Sequence, residues 1–574
     1  MPSTLGSGQR ADALRRMATE QFDVLVIGGG VVGAGTALDA VSRGLSVAVV
    51  EATDWAAGTS SKSSKLIHGG LRYLEQRDFR LVAEALRERA LLLNRLAPHL
   101  VHPVPFLVPL THHAWERVYI GAGVTLYDTM GAVHRGSGAV PRHRHLTRRA
   151  ALKAAPVLRG DGLVGAIRYF DAQVDDARFT MTLARTAVRY GAAAATRATV
   201  TGFLREGERV VGATVTDRET GEQIAVRARQ VINATGVWSD STLTMAGIAG
   251  GPTVRAAKGI HLVVPRDRIR LDTALILRTE KSVLLLIPWG RHWIIGTTDT
   301  AWDLDTDAAA ASEADVDYLL DHVNAALKAP LTRDDIEAVY AGLRPLIAGQ
   351  SAGHSGDTAR LSREHVVARP VPGLVMIAGG KFTTYRVMAR DAVNSAAEEL
   401  PGTVPDSVTE RLPLAGAVGY EVLWNDRHRL ARRAGLATEQ LEHLLNRYGS
   451  NVEEVLGLIE DDRELGLPVP GADGYLKAEV VYAAACEGAL HLDDVLARRT
   501  RIAIEERDSG MAAASAVAGL MAAVLGWDSE RTEREIVEYQ RKAAAERAAR
   551  HQPDDVAAAA ALEMSATSGT LIRD

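Results

Sequence analysis

Between Phe22 and Glu51 the chain reads FDVLVIGGGVVGAGTALDAVSRGLSVAVVE. An apolar run at Val24–Ile27 leads into glycines at 28, 30 and 33, then a stretch of small residues. A second apolar run, Val47–Val50, ends on the carboxylate Glu51. Short apolar runs bounded by glycine predict buried strands, and the stretch between them predicts a helix. Arg80–Leu96 carries Leu81, Val82, Leu86, Ala90, Leu93 and Leu96 at helical spacing, which predicts a helix packed on the core. Asp175–Tyr190 predicts a capped amphipathic helix. Strands are expected at Val200–Leu204, Val210–Thr216 and Val226–Ala228, and again from Val231 into Asn233-Ala234-Thr235-Gly236. Alternation over His261–Val264, Val283–Ile287 and His292–Gly296, with a turn at Trp289-Gly290, predicts an antiparallel sheet. Ala378–Leu400 reads as a strand end, a glycine pair and a long helix.

The pattern divides the chain. Residues 1–20 are polar and read as a flexible arm. Residues 21–400 form an α/β body into which segments at about 97–170 and 250–340 are interleaved for substrate. Within the first segment, residues 101–165 read as an insertion with short strands and a basic loop, Arg142–Arg149. Pro401, Gly402 and Pro405 mark a linker to a helical domain spanning 401–542. The alanine-rich stretch 543–574 has no core pattern and reads as a frayed or disordered tail.

At 574 residues and a net charge of −5 the composition is that of a globular protein, and a nucleic-acid partner would call for a basic field that is absent. The single cysteine, Cys486, lies in an apolar helical stretch and reads as a structural thiol; a reducing compartment is the natural home. Met1–Glu20 lacks the apolar core of a secretory signal, and no run of about eighteen apolar residues predicts a membrane span. No clustered metal-ligand spacing is present, so no metal is expected.

The glycines specify chemistry. Gly28 permits a tight turn, Gly30 lets backbone approach a pyrophosphate, and Gly33 lets helix and strand pack closely. The helix N-terminus offers unpaired N–H groups to phosphates, and Glu51 stands where it can accept from a ribose diol. A dinucleotide site follows.

The block SSKSSKLIHGGLRYLE at Ser60–Glu75, together with NATGVW, KGIHLVVP, IIGTTDT, GLRPL and GGKFTTYR, resembles the FAD-dependent, respiratory-type glycerol-3-phosphate dehydrogenases. The likeness runs from about residue 20 to about residue 530. It implies a Rossmann-like FAD-binding domain of the D-amino-acid-oxidase type, an antiparallel-sheet substrate domain and an all-helical C-terminal cap. It further implies oxidation of sn-glycerol 3-phosphate to dihydroxyacetone phosphate, with electrons passed to a membrane quinone. A peripheral position on an anionic membrane at the cytoplasmic face goes with that acceptor, and a homodimer is left open.

Flavin contacts are expected from Gly28, Gly30, Gly33, Glu51, Ser61, Ser64, Lys65, His68, Gly69, Gly70, Thr235, Gly236, Gly380, Lys381, Thr383 and Thr384. A helix beginning near Thr383-Thr384 beside Lys381 would stabilise charge developing on the reduced ring. A glycerol phosphate is anionic, so cations must meet it: Arg72, Arg344 and Lys381, with Tyr73 sharing a phosphate hydrogen bond. His261 is the first candidate for the base and His68 the second. Related flavin oxidases acting on amino or 2-hydroxy acids, or passing electrons to oxygen, are the competing readings, because an arginine serves a carboxylate as readily as a phosphate. A flavin-binding scaffold without turnover is the alternative of a different class.

Overall fold

The computed structural model describes residues 5–70, 78–112, 115–132, 140–248, 251–279, 283–348 and 364–570. Strand Gln21–Ile27 pairs in parallel with Val47–Val50 on one side and with Gln223–Asn233 on the other. The sheet continues through Leu374–Gly379 to His365–Val371 at one edge and through Ala193–Ala195 at the other. The helix Val31–Ser42 covers one face beside Tyr385–Ala397, and both faces are buried, which is why these strands read as unbroken apolar runs. Gly35 lets the two helices touch: a Cβ there would lie 2.7 Å from Cδ2 of Tyr385.

The second sheet is mixed and ten-stranded. Its centre is Val254–Pro265, paired antiparallel with Ala338–Ile347 on one side and with His292–Gly296 and Thr300–Trp302 on the other. Val283–Trp289, Ala274–Arg278, Val101–Leu110 and Gly165–Val174 extend it. The stretch expected to hold only short strands thus contains a ten-residue strand, Val101–Leu110, followed by the helix Trp115–Ala132. Part of the expected basic loop is a strand as well, Arg144–Thr147, which pairs with Gly165–Val174.

Beyond Leu400 the chain is largely helical. Buried ion pairs tie this domain to the first: Arg499 grips Asp54 through two bonds of 2.7 Å, and Arg501 donates to Asp175 at 3.0 Å. Such pairs add little net stability, but removing one partner strands a buried charge at about 3–5 kcal/mol.

Both chain ends depart from expectation. In place of a flexible arm, Ser7–Thr19 is a helix that buries Ala13 and Met17 against the first sheet. The stretch 543–574, expected as a frayed or disordered tail, carries the end of the helix Ser529–Ala549 and the helix Asp555–Thr570 over its described residues, with Ala543, Ala549, Ala558 and Ala559 buried. Alanine gives little periodic contrast in a sequence, yet its small side chain allows close helix approach. Cys486 is half-buried, and burial pushes its thiol up to about 11, as suits a structural residue. Among the described residues no helix is long and apolar enough to cross a membrane.

Candidate active site

The Val31–Ser42 helix starts at Gly30, and its first N–H, from Val31, donates to Ser60 Oγ at 2.9 Å. Gly28 has φ +110° and sits so close to Ala234 that a Cβ would lie 2.7 Å from its carbonyl oxygen. At Gly33 a Cβ would fall 1.9 Å from the oxygen of Gly28, so only glycine closes the strand–helix turn. Glu51 Oε2 accepts from the Gly29 N–H at 2.6 Å and Oε1 from the Thr53 N–H at 2.8 Å. Burial raises its carboxyl above the ordinary value, against the pull of those two amides. Thr235 Oγ1 donates to Asn233 Oδ1 at 2.7 Å, and Gly236 takes φ +61°, ending the neighbouring strand in an open turn. A helix N-terminus, a backbone without side chains and an acid at the strand tip together fit an adenine dinucleotide.

Thr59 to Gly70 carries the chain from this cradle into the second sheet. Thr59 Oγ1 donates to the Leu343 oxygen at 2.6 Å, and Ser61 is buried with its Oγ on the Gly58 oxygen at 3.4 Å. Lys65 was expected among the phosphate and ribityl contacts, and the geometry contradicts that. Its side chain is fully buried, with Nζ 2.9 Å from Asp176 Oδ1 and 3.2 Å from the Ser61 oxygen. Burial, and Arg501 nearby, lower its ammonium from the ordinary value, and Asp176 opposes them. Lys65 is therefore a brace for the loop. The side-chain Oδ2 of Asp176 also accepts from the Ser63 N–H at 2.9 Å and from Ser63 Oγ at 2.6 Å.

His68 and Thr383 lock together: the His68 N–H donates to Thr383 Oγ1 at 3.1 Å, and Oγ1 donates back to the His68 oxygen at 3.2 Å. Gly69 N–H donates to Tyr127 Oη at 2.8 Å, and Gly70 takes φ +74°. Gly379 and Gly380 both take φ +78°, and Lys381 stands at the start of the short turn Phe382–Thr384 that leads into Tyr385–Ala397. The expected helix N-terminus is in place, with Thr383 and Thr384 buried beneath it.

His261 lies in the central strand, opposite Gly296 on one neighbour and Tyr340 on the other. Its ring stacks on Tyr340 at 4.7 Å and 14°, and its Nε2 is 2.8 Å from Ser64 Oγ. Burial, then the charges of Arg344 and Lys65, hold the imidazole well below its ordinary value of 6.5, so it is neutral at neutral pH. Arg344 is one strand away. Its Nη2 donates to Thr297 Oγ1 at 2.9 Å and to the Thr298 oxygen at 3.0 Å; Nη1 reaches Asp299 Oδ1 at 3.3 Å. Arg72 and Tyr73 lie outside the described residues. Ser60, Asp176, Tyr340 and Thr297 were not singled out. Ser60 was legible as part of the serine block, but the other three acquire their places only through strand register and loop docking.

Two family models match the chain: FAD dependent oxidoreductase over residues 23–390, and C-terminal domain of alpha-glycerophosphate oxidase over residues 407–532. Glycerol-3-phosphate dehydrogenase 2 of Mycobacterium tuberculosis is 55% identical over 97% of this chain and 94% of its own. The chain belongs to the FAD-dependent glycerol-3-phosphate dehydrogenases. The human mitochondrial member is 36% identical over 92% of this chain and 74% of its own. The glycerol-3-phosphate dehydrogenase of Bacillus halodurans, solved with FAD, superposes with a TM-score of 0.76 at 30% identity, covering 94% of this chain and 98% of that one. FAD is the cofactor of this dehydrogenase family, and the chemistry of the cradle around Gly28, Gly30, Glu51 and Ser60 fits a dinucleotide of that kind.

Proposed function

We propose that the protein oxidises sn-glycerol 3-phosphate to dihydroxyacetone phosphate and passes the electrons to a membrane quinone. The observation that carries this reading is the convergence of Arg344 and a neutral His261 on adjacent strands with Thr297, just past the end of a third. Bound FAD supplies the acceptor for the hydride that leaves C2. A neutral imidazole has one nitrogen free of a proton and takes the C2 hydroxyl proton as the hydride departs. Ser64 Oγ orients that ring from the loop, and Tyr340 holds its plane. Arg344 offers a planar fork to the phosphate or to the developing ketone oxygen. Arg72 and Tyr73, by resemblance, complete the phosphate contacts. Lys381, beside the glycine pair and a helix start, would stabilise charge gained by the reduced ring when FAD is bound. Ser61, Ser64, Gly69 and Gly70 would meet the ribityl chain and ring when FAD is bound, and Thr235 and Gly236 would let backbone approach it.

The acceptor is read from the respiratory-type resemblance, and with it comes peripheral attachment to an anionic membrane at the cytoplasmic face. A second reading, oxygen as acceptor, is favoured by the match of residues 407–532 to the C-terminal domain of a glycerophosphate oxidase. Anaerobic titration of the yellow protein with glycerol 3-phosphate, glycerol and glycine tests the substrate: bleaching by glycerol 3-phosphate alone is expected, and bleaching by glycine would replace this reading with an amine oxidase. Reoxidation by a soluble quinone faster than by oxygen is expected for the dehydrogenase.

A further inference from the structure

The C-terminal helix Asp555–Thr570 folds back over the strands that carry His261 and Arg344. Its first residue, Asp555, places Oδ1 2.5 Å from Nζ of Lys258, a residue with no exposed surface. Lys258 Nζ also meets Asp315, and it lies 5.3 Å from the ring centroid of Trp302. Ser312 Oγ donates to Asp555 Oδ1 at 2.8 Å, and the Glu313 N–H donates to the Gln552 oxygen at 2.7 Å. One turn on, Ala559 is buried in a cluster with Val237, Trp302 and Leu343. Val237 follows the Thr235-Gly236 turn, and Leu343 immediately precedes Arg344.

Lys258 is also next to the substrate cation through its backbone. It pairs with Leu343 across the strands, while Ala257 pairs with Arg344, and the Lys258 carbonyl accepts from Arg344 Nη1 at 3.4 Å. Asp315 alone already neutralises Lys258. What Asp555 adds is a second, charge-assisted bond to the same ammonium that seats the helix, 297 residues away in sequence. Bound there, Ala559 closes against Leu343 and holds the strand segment from which the guanidinium projects.

We propose that Lys258 and Asp555 are positioning residues for Arg344, with the Asp555–Thr570 helix acting as a strap that sets the guanidinium for the substrate anion. This rests on the reading of Arg344 as the substrate cation. Asp555 touches neither substrate nor flavin, so its loss should loosen anion binding and leave the flavin unperturbed.

The test uses the FAD-loaded full chain. Asp555→Asn keeps shape and removes charge, Asp555→Ala removes both, and Asp555→Glu restores the acid. Expected are a rise of about tenfold in KM for glycerol 3-phosphate with kcat nearly unchanged, a parallel weakening of competitive inhibition by inorganic phosphate, partial recovery in Asp555→Glu, and unaltered flavin content and spectrum. Combined with Arg344→Lys, the effects should be less than multiplicative, because both act on one contact. Unchanged KM in Asp555→Asn and Asp555→Ala, or a change independent of Arg344→Lys, overturns the strap. If Asp555→Ala loses flavin or does not fold, the isosteric asparagine variant decides. Wild-type kinetics in Arg344→Lys and Arg344→Ala would instead overturn the parent reading.

Discussion

Ser64 Oγ lies 2.8 Å from Nε2 of His261, although 197 residues separate them in sequence. The serine belongs to the loop that leaves the dinucleotide cradle and the histidine to the centre of the second sheet. Their contact joins the two halves of the site. The imidazole on the far side of that bond is stacked on Tyr340 and shielded from water, which is the physical cause of its depressed pKa.

That depression sets the pH dependence. A group whose folded pKa is lowered stays neutral below its ordinary value, and here the neutral form is the base. The acid limb of kcat/KM assigned to His261 should therefore fall below 6.5. His261→Gln should lower kcat by about 10²- to 10⁴-fold and remove that limb. A limb centred above 6.5, or a variant with wild-type kcat, would shift the assignment to His68.

Arg344→Ala should leave flavin absorbance nearly intact while lowering kcat/KM by roughly tenfold to more than a hundredfold, the cost of about 1.5–3 kcal/mol for a charge-assisted hydrogen bond. Arg344→Lys keeps the charge but not the fork and should recover only part of the loss. Steady-state kinetics on both, with flavin content measured alongside, check this.

Flavin should be bound non-covalently, released into the supernatant on acid precipitation. Gly30→Leu should yield folded but colourless protein, because its side chain would occupy the pyrophosphate position. Gly33→Val should fail earlier, since even a Cβ there would lie 1.9 Å from the Gly28 oxygen. Circular dichroism beside the absorbance spectrum separates loss of cofactor from loss of fold.

His491 predicts a stability window. Its ring nitrogens lie 2.8 Å from Glu219 and 2.8 Å from Glu535, joining the first domain to the helix Ser529–Ala549. These carboxylates outweigh burial and raise its pKa to about 9. A folded-state pKa above the unfolded one means that the stabilisation is complete below about 6.5 and is lost as pH rises through about 9. The contribution is at most about 3 kcal/mol. Denaturant unfolding between those pH values should show a decline in the wild type that His491→Gln lacks.

Attachment to membranes should be peripheral. Sedimentation with liposomes should increase when anionic lipid is included and reverse at high salt. Equal recovery in the supernatant with and without anionic vesicles would remove the proposed attachment.

The dinucleotide cradle was legible because each part is local: glycines at fixed offsets, two apolar runs and an acid at the second strand's tip all lie between Val24 and Glu51. The antiparallel sheet and the helical cap were legible for the same reason, through periods of two and of 3.6 residues. The tertiary structure decided the rest. Lys65 lies in the motif block, yet whether it meets a phosphate or a carboxylate depends on Asp176, which a separate helix brings beneath it. His261 becomes a neutral base candidate only when Ser64, Tyr340 and Arg344 surround it from three other segments. The alanine-rich C-terminus shows no pattern in sequence, because small side chains give weak contrast between buried and exposed faces. Its last helix is seated by buried alanines and by Asp555 on a lysine 297 residues away, and contacts over that distance are a property of the folded chain alone.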